Sequence, residues 1–171
     1  MEKLVGEVQE GVILGVLDGF EVVYVHLVES SQAVRVHAAV GDRIPAHCTS
    51  TGLALLSQQE DTYLDRAVPA KLPAFTEQTI VNRRTLLAEL QRIRGRGYAI
   101  NRGGWRVDVG GIAVRIGDTH GHVVSGLCIA VPRYRMTNAW IARSAPSLIR
   151  VAEKISMALG ASGGLAPGAA A

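Results

Sequence analysis

The stretch GVILGVLDGFEVVYVHLVES, residues 11–30, constrains the fold more than any other part of the chain. Two β-branched runs flank Asp18-Gly19, and such runs on either side of an Asp-Gly pair form a hairpin. An antiparallel sheet is therefore expected to begin near the start of the chain. Alternation in residues 33–40, AVRVHAAV, predicts a third strand.

Helical patterns surround this strand-rich beginning. Residues 2–10, EKLVGEVQE, read as a short helix that Gly6 weakens. Behind PAHCTST, the run 53–56 predicts a short buried helix. Leu86, Leu87, Leu90 and Ile93 share one face of a helix over 82–96, closed by Gly95 and Gly97. Residues 98–101 and 112–116 read as strands. The tetrapeptide Asp118-Thr119-His120-Gly121 predicts a hairpin turn into a strand over 122–131. A last helix, 138–159, contains Pro146 and is expected to kink or break there. The order of elements predicts an α+β fold, a mostly antiparallel sheet flanked by helices. The tail, residues 161–171, has little to bury and is expected to be disordered.

With 171 residues, 48% hydrophobic and 19% charged, one globular domain is expected. No apolar run approaches the roughly 18–20 residues of a membrane span, and no signal peptide is recognisable. Cys48 and Cys128 are expected to be reduced thiols of a cytoplasmic protein. The net charge of +3 is spread over scattered arginines, not a stripe, which argues against direct DNA binding by this chain. No cofactor is expected: the glycines at 103–104 and 110–111 do not make a dinucleotide-binding loop.

Three chemistries compete for the stretch PAHCTSTGLALL, residues 45–56. Cys48 as a nucleophile needs a base held beside it, and no Cys–His signature accompanies it. A metal site from His47, Cys48, Cys128 and His120-x-His122 matches no zinc spacing. Thr49, Ser50 and Thr51 are N-cap residues in front of a helix, whose first N–H groups lack intrahelical partners and attract anions. An ordinary cap with its hydroxyl turned inward is the alternative. Cys128 and Ala130 lie on one face of a strand, where small residues leave room for a pocket.

The chain resembles the C-terminal effector-binding domain of the IclR family of bacterial transcriptional regulators. The resemblance runs over residues 11–160 and rests on LDGFEVVYVHLVES, VGDRIPAHCTSTGLALL, Thr76 with Thr79, LLAELQRIRGRGYAINRGGW, GGIAVRI, VSGLCIAVPRYRMT and AEKISMALG. It implies a GAF-like fold, a curved antiparallel sheet flanked by helices, that senses a ligand and performs no catalysis. A small organic acid effector is implied, with Ser50, Thr51, Asn101, Val109, Gly111, Cys128 and Ala130 as ligand-binding residues and Leu127 near the body of the ligand. Where small keto-acid binders carry a hydroxyl pair, Cys128 and Ala130 stand here, so a larger and possibly aromatic acid is expected. Gly103-Gly104 replaces residues that tend to be acidic in the family. Self-association as a dimer or tetramer is implied. DNA is implied as a partner only through an N-terminal winged helix-turn-helix absent from this chain, with residues 1–10 as the end of a connecting helix. The chain is thus expected to be an excised sensor domain or a natural variant without its reader. Competing readings are a hydrolase or transferase using Cys48, and a pure oligomerisation domain.

Overall fold

The computed structural model describes residues 1–120 and 122–161. Apart from residue 161, the tail expected to be disordered lies outside the described residues. Helix α1 (Glu2–Val8) precedes strands β1 (Gly11–Asp18) and β2 (Glu21–Val28). Strand β3 (Arg43–Pro45), a 3-10 turn (Ala46–Cys48) and helices α2 (Ser50–Leu56), α3 (Asp61–Ala67) and α4 (Arg83–Arg96) follow. Strands β4 (Ala99–Arg102), β5 (Val109–Gly117) and β6 (Val123–Pro132) lead through a 3-10 turn (Arg133–Arg135) to helix α5 (Asn138–Ala158).

All six strands form one curled antiparallel sheet in the order β3-β2-β1-β6-β5-β4. The first hairpin is present, shifted by one residue: Asp18 pairs with Glu21, leaving Gly19-Phe20 as the turn. Gly19 has φ 59° at the first central position, the conformation a II′ turn requires there.

The two faces of the sheet bury different partners because side chains alternate along each strand. Ile112, Val114, Leu127, Ile129 and Val131 pack against Leu148 and Ala152 of α5 and Leu4 of α1. The opposite face carries Ile13, Ala113, Cys128 and Ala130 and packs against Leu53, Leu55 and Leu90 of α2 and α4. Leu127 therefore faces α5, not the side expected to hold a ligand body. Small residues on the inner face let α2 approach closely: a Cβ on Gly126 would sit 3.0 Å from the Thr51 methyl and 3.3 Å from Leu55. Each fully buried leucine contributes about 1.5–3 kcal/mol relative to exposure, so α2, buried along its length, anchors the inner layer.

Two expectations are corrected. Residues 33–40 form no strand; they make an irregular strap, because the free edge of β2 is taken by β3. The strap is pinned instead by turns: Gly41 N–H donates to the Tyr24 carbonyl, and Ala39 N–H to the Asp42 carboxylate. The break offered as one outcome at Pro146 is absent: helix α5 continues through it. Pro146 and Ala142, whose carbonyl loses its helical donor, are both exposed, so that carbonyl is open to solvent.

Candidate functional site

A cavity of about 210 Å³ lies between the start of α2, the inner face of the sheet, the strap and the loop after β4. Its floor follows from strand register. Asn101 pairs with Gly111 and Gly111 with Ala130, which sets the three in one row across β4, β5 and β6. Ser50 stands over that row, and a Cβ on Gly111 would lie 2.8 Å from Ser50 Oγ and 3.3 Å from Cys128 Sγ. The absence of a side chain at Gly111 is what leaves the space open.

The structure brings six of the seven expected residues to this cavity: Ser50, Asn101, Val109, Gly111, Cys128 and Ala130. Thr51 does not line it. Its methyl lies toward Gly15 and Gly126, and its hydroxyl is enclosed without a partner among the described residues. Thr49 is the N-cap, its Oγ1 accepting the Gly52 N–H at 3.0 Å. The amides of Ser50 and Thr51, one step earlier, have no intrahelical acceptor.

The polar groups around the cavity are mostly donors. Asn101 Oδ1 accepts the Gly104 N–H at 2.8 Å, which leaves its Nδ2 to donate. Ser50 Oγ and Cys128 Sγ lie 3.2 Å apart. Tyr24, which also lines the cavity, has its phenol pKa pushed up by burial, with the Cys128 and Cys48 thiols adding to the effect, so it remains a neutral hydroxyl. Arg106 and Asp42 also line the cavity.

Sequence reasoning missed Tyr24 and Trp105 as wall residues. The signal for Tyr24 was present: in β2 it shares a face with Val22, and its cross-strand partner Gly15 lies on that same inner face. Trp105 is placed by its loop. Thr76 Oγ1 donates to the Gly103 carbonyl at 2.6 Å and Thr79 Oγ1 to the Gly104 carbonyl at 2.7 Å, so the T-x-x-T pair clamps the two glycines. A Cβ on Gly104 would come within 2.6 Å of Asn101 Nδ2. The glycines thus serve close packing of the loop.

The Cys48 arrangement does not support nucleophilic chemistry. Burial pushes the Cys48 thiol up to about 12, and its Sγ donates to the Pro45 carbonyl at 3.0 Å. His47 is turned away, its Nε2 3.0 Å from the Pro73 carbonyl and its ring stacked on Phe20 at 5.4 Å. Both cysteines are free thiols. No helix of the described residues is long and apolar enough to cross a membrane.

Residues 1–157 match the family model described as "Bacterial transcriptional regulator IclR C-terminal". The chain belongs to the IclR family. Among its relatives is the HTH-type transcriptional regulator KdgR of Escherichia coli strain K12, 29% identical over 94% of this chain and 61% of KdgR. The crystal structure of Thermotoga maritima IclR superposes with a TM-score of 0.87 at 30% identity, covering 93% of this chain and 65% of that one. A double mutant of the PobR inducer-binding domain from Acinetobacter, in complex with 3-hydroxybenzoic acid, superposes with a TM-score of 0.80 at 26% identity, covering 90% and 91%. The chain spans about three fifths of the length of KdgR. It is an IclR effector-binding domain, and the IclR relatives are transcriptional regulators, not enzymes.

Proposed function

We propose that the cavity binds a small organic acid with an apolar body, an aromatic ring being the best fit. The observation that carries this reading is the composition of the cavity: neutral donors from Ser50 and Asn101 at the small-residue row Asn101–Gly111–Ala130, and apolar walls from Ile13, Val109 and Trp105. A carboxylate placed under Ser50 meets the Ser50 hydroxyl, the Asn101 amide nitrogen and the first amides of α2, while the one acidic side chain lining the cavity among the described residues, Asp42, shares it with Arg106. The Ala130 methyl offers nothing to a keto oxygen and suits a ring. The PobR complex supports an aromatic acid as the class, since that relative holds 3-hydroxybenzoic acid in the same fold.

In the regulator to which such a domain belongs, the bound acid stabilises one arrangement of the sensor and thereby changes operator affinity by the difference in binding free energy. DNA contact is assigned to an N-terminal winged helix-turn-helix, self-association to dimers or tetramers of the sensor, and the setting to the cytoplasm. Thermal denaturation with benzoate, 3-hydroxybenzoate, pyruvate and glyoxylate tests the acid. A ligand at about 100 times its Kd adds about 2.7 kcal/mol of stability. The aromatic acids are expected to shift the transition most; no shift with any acid would favour a pure oligomerisation domain.

A further inference from the structure

The roof of the cavity is tied to α1 through one side chain. Arg135, in the 3-10 turn after β6, grips the Glu10 carboxylate with both arms of its guanidinium, Nε to Oε1 at 2.6 Å and Nη2 to Oε2 at 2.9 Å. The same Nη2 donates to the Val34 carbonyl in the strap at 2.8 Å. Its Nη1 donates to the Tyr134 hydroxyl at 2.6 Å. Glu10 follows α1 directly, and its side chain is only 4% exposed. A second bond runs parallel: Ser30 Oγ, where the strap begins, donates to the Gln9 carbonyl at 2.8 Å.

Other walls of the cavity reach the same turn. Strand β6 enters it from Cys128 and Ala130, and the loop after β4 joins it where Arg133 N–H donates to the Asp108 carbonyl at 2.8 Å. Its outgoing charged contact is Glu10. The strap carries Val36 and Ala38 over the cavity without any ladder of its own, so its position depends on such point contacts.

We infer that Arg135 is a coupling residue, linking the strap that roofs the cavity to the end of α1 through its simultaneous contacts with Val34 and Glu10. The inference rests on the cavity being the effector site. A ligand that orders the strap then also favours one position of α1, and reciprocally a displaced α1 loosens the roof. A buried carboxylate deprived of its partner is strongly destabilised, which is why the three groups move together and not separately. Lysine cannot replace arginine here, because a single ammonium cannot keep the bidentate grip on Glu10 and reach Val34 as well.

Hydrogen exchange on the ligand-free 171-residue chain tests this, followed in peptides covering residues 2–9 and 30–42. Glu10→Gln leaves the strap's own residues untouched, yet should speed exchange in residues 30–42 roughly tenfold, equivalent to about 1.4 kcal/mol. Arg135→Lys should do the same, and carries the test alone should Glu10→Gln fail to fold. Arg150→Gln, which removes an exposed contact with Glu7 and leaves the Glu10–Arg135 grip in place, is the control and should leave both peptides near the wild-type rate. Strap exchange at the wild-type rate in Glu10→Gln or Arg135→Lys overturns the coupling. Since no acid is added, that result leaves the effector reading standing, and a failed acid titration leaves the coupling standing.

Discussion

Ser50 Oγ lies 3.2 Å from Cys128 Sγ, joining the first turn of α2 to the middle of β6 across the floor of the cavity. A thiol is a weak partner for a hydroxyl, so this bond is easily exchanged for a stronger one. An acid arriving beside Ser50 displaces a sulfur contact, not a water-tight polar network, and the loss is small. On the proposed reading, the floor offers an anion neutral donors and no charged side chain.

If the cavity holds the proposed acid, the residue at position 130 should set how polar the rest of the ligand can be. Ala130→Ser introduces a donor in the row with Asn101 and Gly111. One added hydrogen bond contributes about 0.5–1.5 kcal/mol, so pyruvate should gain roughly 2- to 13-fold in affinity relative to 3-hydroxybenzoate. Calorimetric titration of both acids reads the ratio. An unchanged ratio would mean the new hydroxyl does not face the ligand.

Two glycines should respond in opposite directions to alanine. A Cβ at Gly52 would overlap the carbonyl oxygen and Cα of Ala46, backbone atoms that cannot turn aside. Gly52→Ala should cost at least the about 1–3 kcal/mol typical of overpacking and displace the floor of the cavity. Gly95, inside α4, has nothing within 4 Å of the added carbon. Gly95→Ala should raise stability by about 0.5–1 kcal/mol through helix propensity alone. Urea denaturation midpoints check both.

Much of this architecture was legible because its elements carry local signals. The Asp18-Gly19 hairpin, the leucine face of α4 and the capped start of α2 each follow from a turn residue or a period. The strap was not legible, for a physical reason: Val34, Val36 and Ala38 alternate as a strand would, and Val36 and Ala38 are half-buried against the inner core. Alternation reports one-sided burial, and nothing in it says that a ladder partner exists; β3 had already taken the edge. At the site, small residues pointed to Cys128 and Ala130. The cap fell at Thr49, one of three consecutive hydroxyl residues that give the same signal. Tyr24 and Trp105 reach the cavity through strand register and a clamped loop, relationships between distant segments that no short window contains.

Cys48 should behave as a structural thiol. With its pKa pushed up to about 12 by burial, the thiolate fraction at pH 8 is roughly one in ten thousand. Iodoacetamide at that pH should leave Cys48 unmodified in the folded chain, as judged by mass spectrometry, while urea-unfolded chain is alkylated fully. Cys48→Ala should retain acid binding. Rapid labelling of folded protein would revive a reactive role for this sulfur.

His47 gives the fold a pH dependence whose sign follows from its surroundings. The ring is fully buried, stacked on Phe20 at 5.4 Å, with Nε2 bonded to the Pro73 carbonyl and Nδ1 without a partner among the described residues. Protonation would place an N–H at Nδ1 facing no acceptor, and burial accordingly lowers the pKa below its ordinary 6.5, against the smaller opposing effect of the Pro73 bond. The unfolded chain takes up a proton near 6.5 and the folded chain only at lower pH. Between those values the unfolded state binds more protons, so stability falls as pH drops below about 6.5 and is complete above it. His47→Gln retains a donor for Pro73 and cannot titrate in this range. The difference in unfolding free energy between wild type and His47→Gln should therefore be constant from pH 7 to 8 and shrink or reverse as pH falls from 6.5 toward 5. Parallel stability curves over the whole span would show that the proton finds a partner at Nδ1, and that this ring is not the neutral, enclosed group its contacts describe.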